Sequence, residues 1–258
     1  MDWLIIFMFK AKTKRIEILS KNNPRIIEEL EEIFDKKTNV YIDFANILYW
    51  QERLSWHICL KRLKQFLDSF TNIQKVKFYY GTLEGDKYSE QLIRKAKNYN
   101  YEVKTKPVKI IPLSIDVSSI AIYSPDLLKD FIRKPLLQKL NLETIEFLNK
   151  RLKDLNDQGT KYLEDKKCNF DVEIGVAMEL DSIQNNAENF VLWSGDSDFE
   201  SPVNQLLEWG RKVVIFMTAR RISTELSETK AKKFEIKKIK EFICWTKELS
   251  EEIRINTT

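Results

Sequence analysis

The chain has 258 residues, with 43 Lys and Arg against 39 Asp and Glu, a net charge of +4 and a hydrophobic share of 43%. This length suffices for one large α/β domain or one domain with a long insertion, and the charge is too small to identify a polyanionic partner by itself. Only 6 Gly and 6 Pro argue against long flexible linkers. Three scattered cysteines and one histidine argue against a disulfide framework, a zinc site and a histidine-based triad. Such thiols fit a reducing compartment, so we expect a cytoplasmic protein.

An apolar run near the N-terminus, Trp3–Phe9, is too short for a membrane span, which needs about 20 apolar residues. Basic residues follow this run rather than precede it, which is the reverse of their order in a signal peptide. We therefore expect no membrane partner and interpret the run as an extra strand or packing segment. Asn23 and Pro24 then predict a helix start, as N-cap and first helical residue, and residues 1–37 are assigned to an N-terminal extension.

The next segment has the alternation of strands and helices that is typical of a parallel sheet. Strands are predicted at Asn39–Phe44, Lys75–Tyr80 and Tyr101–Lys106. An amphipathic helix between Trp56 and Phe70 connects the first two strands, and a helix at about Lys87–Asn98 connects the second and third.

Residues 107–165 interrupt this alternation and are predicted to form a mostly helical insertion. Ser124 and Pro125 repeat the N-cap and proline pattern of a helix start, and Asn141 is expected to cap another helix. The sequence leaves open whether the insertion is a lid, a partner site or a dimer surface.

After the insertion the alternation resumes. The pattern predicts a helix at about Asp171–Gln184, a strand at Phe190–Trp193, a helix at Ser201–Trp209 and a strand at Lys212–Met217. The predicted fold class is therefore α/β, with three layers (α/β/α) around a central, mainly parallel sheet, plus the helical insertion.

Several polar side chains are expected to meet at one edge of this sheet. Asp196 and Asp198 follow an apolar strand on a turn of small residues, and Asp43 ends the first core strand. Because ligands of parallel sheets bind at the carboxyl ends of the strands, residues from distant parts of the chain can converge there. Together with Asp171 and Asn46, these side chains offer the oxygen ligands that Mg²⁺ or Mn²⁺ prefers.

Most of these residues also have a purely structural interpretation. Asp171 alone is a common helix N-cap, Asp43 could end a strand and bond to the next turn, and Asn46 could belong to that turn. The pair Asp196 and Asp198 is harder to explain in this way, since a simple turn needs only one Asp or Gly. Two like charges so close repel each other unless a cation joins them.

Four segments, in this order, make the chain resemble the NYN domains, a branch of the PIN-like metal-dependent nucleases, in their bacterial LabA-like form. The segments are Val40–Ile47, Phe78–Gly81, Lys167–Ile174 and Val191–Phe199, with the strand Lys212–Phe216 in agreement. The resemblance covers about Thr38–Gly81 and Lys166–Phe242. We therefore assign the nuclease domain to residues 38–106 and 166–243, and a C-terminal tail to residues 244–258.

The resemblance implies a ribonuclease with an acidic pocket that binds Mg²⁺ or Mn²⁺ and hydrolyses RNA with a metal-activated water. The positions that match metal ligands or orienting groups are Asp43, Asp171, Asp196 and Asp198. The expected catalytic set adds Asn46 to these four, and the supporting polar groups are Ser194 and Ser197.

One departure from the family pattern is Ala177, because many relatives have an aspartate at that position. Asp181 cannot replace it, since the ten residues of helix between Asp171 and Asp181 span about 15 Å. The alternative function is therefore a catalytically weak or inactive module that binds RNA or regulates. A phosphatase of the haloacid dehalogenase type is disfavoured, because it needs a second aspartate where this chain has Ala45.

A basic segment after the last core strand is the predicted contact for RNA, which is the expected partner. Its candidate residues are Lys230, Lys232, Lys233, Arg220 and Arg221. A solvated charged face on a terminal strand or helix explains the same segment equally well. A homodimer is left open.

Overall fold

The computed structural model describes residues 8–54, 56–114, 119–157, 162–218 and 222–245. The chain divides into two compact units. The first is formed by the chain up to Pro107 and from Cys168 onward, and the second by Val108–Lys167. The first unit contains the four aspartates of the predicted site.

The strands of the described residues form two separate sheets. In chain order they are β1 (Thr38–Asp43), β2 (Ile73–Tyr79), β3 (Glu102–Lys104), β4 (Lys109–Ser114), β5 (Tyr162–Lys167), β6 (Asn189–Trp193), β7 (Lys212–Met217) and β8 (Lys232–Glu235). In the first unit, six described strands pair in the order β3-β2-β1-β6-β7-β8, and every pair is parallel. The predicted α/β fold with a central parallel sheet is confirmed.

Helices cover both faces of this sheet. The helices of the described residues are α1 (Lys14–Asn22), α2 (Pro24–Ile33), α3 (Phe44–Leu54), α4 (Leu60–Leu67), α5 (Lys87–Asn98), α6 (Lys134–Leu137), α7 (Leu142–Asp157), α8 (Asp171–Ile183), α9 (Glu200–Glu208), α10 (Thr224–Glu228) and α11 (Lys240–Ile243). One face packs against α1 to α5 and α11, and the other against α8, α9 and α10.

The central strand β1 shows why the sheet must be covered on both sides. All six of its residues are buried, with Val40 and Ile42 in the core under α1 to α5 and Tyr41 in the core under α8 to α10. Each buried aliphatic or aromatic side chain stabilises the fold by about 1.5–3 kcal/mol. An apolar run without alternation is the sequence pattern of a strand that is buried on both faces.

Two predicted helices of the N-terminal part are present, but their surroundings differ from the prediction. Asn23 precedes α2 as predicted, but its side chain makes no cap there; its Nδ2 donates to the Leu19 carbonyl and closes α1, a helix that the sequence did not predict. The helix predicted between Trp56 and Phe70 is preceded by a separate helix, α3, directly after β1. Of the predicted segment Trp3–Phe9, residues 3–7 lie outside the described residues, and Phe9 forms an isolated antiparallel bridge with Phe70.

The second unit is less helical than the sequence suggests. Its strands β4 and β5 pair in antiparallel register, from Lys109 with Lys167 to Ser114 with Tyr162. The helix start predicted at Ser124 is wrong: Ser124 Oγ accepts the Asp126 N–H at 3.1 Å in a local turn, and only a short 3₁₀ segment follows.

Among the residues that the structure describes, no helix is long and apolar enough to cross a membrane.

Candidate active site

The carboxyl ends of β1 and β6 lie side by side at the centre of the sheet. Ile42 pairs with Trp193, and the residues that follow them are joined by a hydrogen bond of 3.2 Å from Ser194 Oγ to Asp43 Oδ2. From β1 the chain continues to β2 on one side, and from β6 to β7 on the other, so this is the switch point of the sheet. Ligands of open parallel sheets bind at such a point.

Asp43 is a buried carboxyl at this switch point, with 9% of its surface exposed. Its Oδ1 accepts the backbone N–H of Asn46 at 3.4 Å, which ties it to the first turn of α3. Burial raises the Asp43 pKa to about 6, and the charge of Asp196 adds to this, although the hydrogen bonds from Asn46 and Ser194 act in the opposite direction. The Asp43 carboxylate is therefore destabilised near neutral pH.

The turn after β6 is held by short-range hydrogen bonds. Asp196 Oδ1 accepts the Asp198 N–H at 3.4 Å and the Ser197 hydroxyl at 3.5 Å. The Gly195 N–H donates to Asn46 Oδ1 at 3.4 Å, so that Asn46 connects the turn to α3. This arrangement leaves Asp198 exposed and Asp196 half-buried at the mouth of the site.

Asp171 is the first residue of α8 but does not cap it. The N-cap position is Phe170, and the Asp171 N–H donates to Asn169 Oδ1 at 2.9 Å. Asp171 Oδ2 is buried and has no hydrogen-bond partner among the described residues. A buried carboxylate oxygen without a donor is costly, so the capping interpretation does not explain this side chain.

We call Asp43, Asp171, Asp196 and Asp198 the aspartate cluster, because their charges act on one another. Burial raises the Asp171 pKa to about 7, and the charges of Asp196 and Asp43 and the adjacent Asp198 carboxyl act in the same direction. The structure thus brings together four side chains from three separate parts of the chain.

The aspartate cluster fits a divalent cation in its chemistry but is not arranged around one. Within the described residues, no group of three or more His, Cys, Asp or Glu side chains is placed so that it could hold a metal ion. The donor set is nevertheless all carboxylate oxygen, which suits Mg²⁺ or Mn²⁺, and Asp171 Oδ2 is a buried oxygen without a partner. A cation at this point would offset both the burial of the charges and their repulsion, which together raise the two pKa values.

One comparison with known proteins finds a similar family. The family model of the NYN domain matches residues 115–237, just under half of the chain. Over these residues the chain is similar to NYN domains. The match includes Asp171, Asp196 and Asp198 but not Asp43, and it supports a PIN-like, nuclease-type domain, a class that generally uses divalent metals.

Two further comparisons give no indication of the function. The crystal structure of a protein of unknown function from Vibrio parahaemolyticus is similar to the chain at 14% identity and a TM-score of 0.48, covering 81% of this chain and 96% of its own. No curated protein matches the chain. The LabA-like assignment stays a prediction.

The predicted RNA-binding residues are partly engaged within the protein. Lys230 is exposed, whereas Lys232 Nζ lies 3.5 Å from Glu32 Oε2 and Lys233 Nζ donates to the Thr229 carbonyl. Burial also lowers the Lys233 pKa. The other two candidates, Arg220 and Arg221, lie outside the described residues.

Asp181 lies in a hydrogen-bond network far from the switch point, toward the amino end of β1. Its Oδ2 accepts Asn39 Nδ2 at 2.7 Å, Tyr41 Oη at 2.5 Å and Lys77 Nζ at 2.6 Å. Burial acts to raise the Asp181 pKa, but these three donors outweigh it and the pKa is lowered. The prediction that Asp181 does not stand in for an acid at Ala177 agrees with this placement.

Lys106 lies near the site but is not among the residues that the sequence patterns single out. Lys106 forms an ion pair with Glu173, and its Nζ lies 4.7 Å from the centre of the Phe170 ring. Because Phe170 directly precedes Asp171, Lys106 is the cation that approaches α8 beside the aspartate cluster. The signal was its place just after β3, at the carboxyl end of a strand.

Proposed function

We propose that the protein is a metal-dependent ribonuclease whose reaction centre is the aspartate cluster. The observation that carries the proposal is the electrostatic state of two carboxyls, the buried Asp43 and the partly buried Asp171. The pKa of Asp43 is raised to about 6 and that of Asp171 to about 7, and Asp171 Oδ2 is buried without a partner. Carboxyl groups with shifted pKa values that converge at the switch point of a sheet are typical of a functional site.

Carboxylate oxygens of the aspartate cluster would hold Mg²⁺ or Mn²⁺. Bound there, the cation would supply a nucleophilic water and neutralise charge on the phosphodiester. The protein's own polar groups hold the carboxyls in place. Ser194 donates to Asp43, Ser197 donates to Asp196, and Asn46 fixes the backbone of the turn through Gly195.

RNA is the proposed substrate, and its phosphates need cations near the cluster. Arg220 and Arg221 suit this role by their position in the sequence, just after β7. Lys230 is exposed, but it precedes β8, so it would contact RNA toward the amino ends of the strands. We assign less of the binding to Lys232 and Lys233, because each already has a partner in the protein. Binding through such contacts weakens steeply as salt concentration rises.

A second candidate function is an RNA-binding module without turnover. Two observations favour it: the carboxyls are not arranged around a cation in the described residues, and Ala177 adds no acid to the cluster. This candidate predicts salt-sensitive RNA binding and no metal-dependent product.

The deciding experiment is a cleavage assay with labelled single-stranded and structured RNAs in Mg²⁺, Mn²⁺ or EDTA. We expect product with a divalent cation, none in EDTA, and none with Asp196→Asn. Asp154→Asn is the matched control, because Asp154 is a half-exposed aspartate on α7, outside the first unit. Full activity of Asp196→Asn would contradict the mechanism, and RNA binding without product in any metal would favour the second candidate.

The location of the protein is a separate proposal. The described residues include three free cysteines, Cys59, Cys168 and Cys244. Free thiols support a reducing compartment such as the cytoplasm.

A further inference from the structure

A pocket of about 390 Å³ opens between α8 and the segment after β3, next to the aspartate cluster. We call it the α8 pocket. Its lining residues are Tyr79, Lys104, Thr105, Lys106, Phe170, Glu173, Val176, Ala177 and Leu180. Its volume lies in the range of small-molecule sites.

The walls of the α8 pocket are mainly apolar, although they face solvent. Val176 and Leu180 are exposed by 48% and 47%, and the ring of Phe170 packs behind them against Tyr79. Ala177 lies between these two side chains along α8, and its small size leaves the space open. An acid at this position would have made the wall polar.

One polar group in the wall lacks a partner. Tyr79 is only 1% exposed, and its hydroxyl has no hydrogen-bond partner among the described residues. Burial, with the negative charge of Glu102 as the next cause, raises the Tyr79 pKa, so the hydroxyl keeps its proton and can donate at neutral pH. Buried polar groups are nearly always paired, and a ligand in the pocket would supply the pair.

Two lysines, each paired with a glutamate, stand at the edge of the α8 pocket. Lys106 lies over the Phe170 ring and pairs with Glu173, while Lys104 pairs with Glu102 at 3.5 Å. Phe170 lines the pocket, and the next residue, Asp171, belongs to the aspartate cluster. A ligand that fills the pocket therefore extends naturally toward the cluster.

We propose that the α8 pocket binds the base of a nucleotide that neighbours the cleaved phosphate. A flat heteroaromatic ring has apolar faces for Phe170, Val176 and Leu180 and a polar edge for the Tyr79 hydroxyl. Its phosphate would lie toward Lys106. An aliphatic ligand would use neither the hydroxyl nor the lysine. The inference rests on the proposed ribonuclease function and names a subsite for it.

The test measures binding of the four nucleoside 5′-monophosphates by calorimetry or ligand-detected NMR in EDTA, where no cleavage takes place. Ala177→Phe fills the pocket, and we expect it to raise the dissociation constant at least tenfold. Val172→Phe is the matched control, because Val172 is on the same helix, 75% exposed and not part of the lining, and we expect a change below twofold.

Tyr79→Phe removes only the unpartnered hydroxyl. We expect it to leave the unliganded protein as stable as the parent or more so, while the dissociation constant rises about threefold to tenfold. A merely structural role for the hydroxyl would not weaken binding in a fully folded variant. This variant and Leu180→Ala also keep the proposal testable if Ala177→Phe does not fold.

Each outcome decides one of the two proposals separately. RNA cleavage without nucleotide binding, or equal binding by Ala177→Phe and the parent, overturns the pocket and leaves the ribonuclease in place. Nucleotide binding in EDTA together with full cleavage by Asp196→Asn supports the pocket and overturns the mechanism. If no nucleotide binds and Ala177→Phe changes only the oligomeric mass, the pocket is instead a contact between copies of the chain.

Discussion

Asp181 and Asp171 belong to the same helix, α8, and yet their carboxyls are in opposite electrostatic states. Asp181, near the end of α8, accepts hydrogen bonds from a lysine, a tyrosine and an asparagine, and its pKa is lowered. Asp171, at the start of α8, has a buried oxygen without a donor, and its pKa is raised to about 7.

The difference teaches that burial alone does not decide the charge of an acid. In both cases burial favours the neutral carboxyl. The donors around Asp181 outweigh that effect, whereas at Asp171 the hydrogen bond from Asn169 does not outweigh burial and the neighbouring carboxyls. One end of α8 therefore stabilises the fold with its charge, and the other end carries a charge that the fold itself does not compensate.

The largest expected effect is on stability when the compensated acid is removed. Asp181→Ala leaves Lys77 buried without its partner and should lower the free energy of unfolding by about 3–5 kcal/mol. Chemical denaturation measures this loss, with Asp154→Ala expected within about 0.5 kcal/mol of the parent. Replacing both partners, as Asp181→Leu with Lys77→Met, should recover most of the loss. An unchanged midpoint for Asp181→Ala would remove the contrast between the two ends of α8.

The next effect is on activity and concerns the uncompensated acids. Asp43→Asn should lower the initial rate of RNA cleavage at least about 100-fold, since a cation bound by the cluster stabilises the transition state by several kcal/mol. The fold should persist, because an asparagine can still accept the hydrogen bond from Ser194. Asp181→Asn serves as the comparison, and it should alter stability more than the rate of the folded enzyme.

A smaller effect, of opposite sign, is expected on the stability of the metal-free protein. The folded-state pKa of Asp43 is raised to about 6, so its contribution to stability is complete below about pH 4 and is lost as the pH rises through about 6. In EDTA at pH 8, Asp43→Asn should therefore be more stable than the parent by about 1–3 kcal/mol, and at pH 4 nearly equal to it. Denaturation at the two pH values tests this, and a destabilised variant at pH 8 would contradict it.

Divalent cations should remove the stability advantage of Asp43→Asn over the parent, because they stabilise the parent. At ten times its dissociation constant, Mg²⁺ or Mn²⁺ should stabilise the parent by about 1.4 kcal/mol at pH 8, and clearly less at pH 5, where Asp43 and Asp171 are mostly protonated. Scanning fluorimetry with and without the metal measures the shift. Asp171→Asn should show little of it, whereas equal shifts in both proteins would place the cation elsewhere.

The smallest effect is expected at exposed ion pairs, which form a third environment beside the two ends of α8. Lys238 lies 2.7 Å from Glu29, and Lys232 lies 3.5 Å from Glu32, both at the surface. Lys238→Ala should change the free energy of unfolding by less than about 1 kcal/mol, and the change should shrink further at high salt. Urea denaturation at two salt concentrations measures it.

Much of the fold could be predicted from local patterns. The helix α5 has the predicted bounds because Asp86 caps it, accepting the Ser89 N–H at 3.0 Å, and because its apolar residues recur at helical spacing. The pairing of β4 with β5 was not predicted, because the two strands are about fifty residues apart. The sequence pattern of one strand does not indicate which distant strand it pairs with.

The convergence at the site was predictable, but its electrostatics were not. The carboxyl-end rule for parallel strands predicts that Asp43 meets the turn after β6, and the hydrogen bond from Ser194 to Asp43 agrees. The missing donor for Asp171 and the pairing of Lys232 with Glu32 depend on contacts between distant segments. The sequence shows that both residues of such a pair exist, but it does not show that they lie close together in the fold.

The strand order also has a consequence for synthesis. β1 can pair with β2 as soon as that strand is made. Its other edge cannot pair until β6 is made, and β6 begins at Asn189, 146 residues after Asp43. At about 5–20 residues per second, the ribosome needs on the order of ten to thirty seconds to cover that stretch. During this interval the edge of β1 has no partner strand, and Asp43 has no neighbour from the turn after β6. The reaction centre therefore forms late, and only after the chain has been made as far as Asp198.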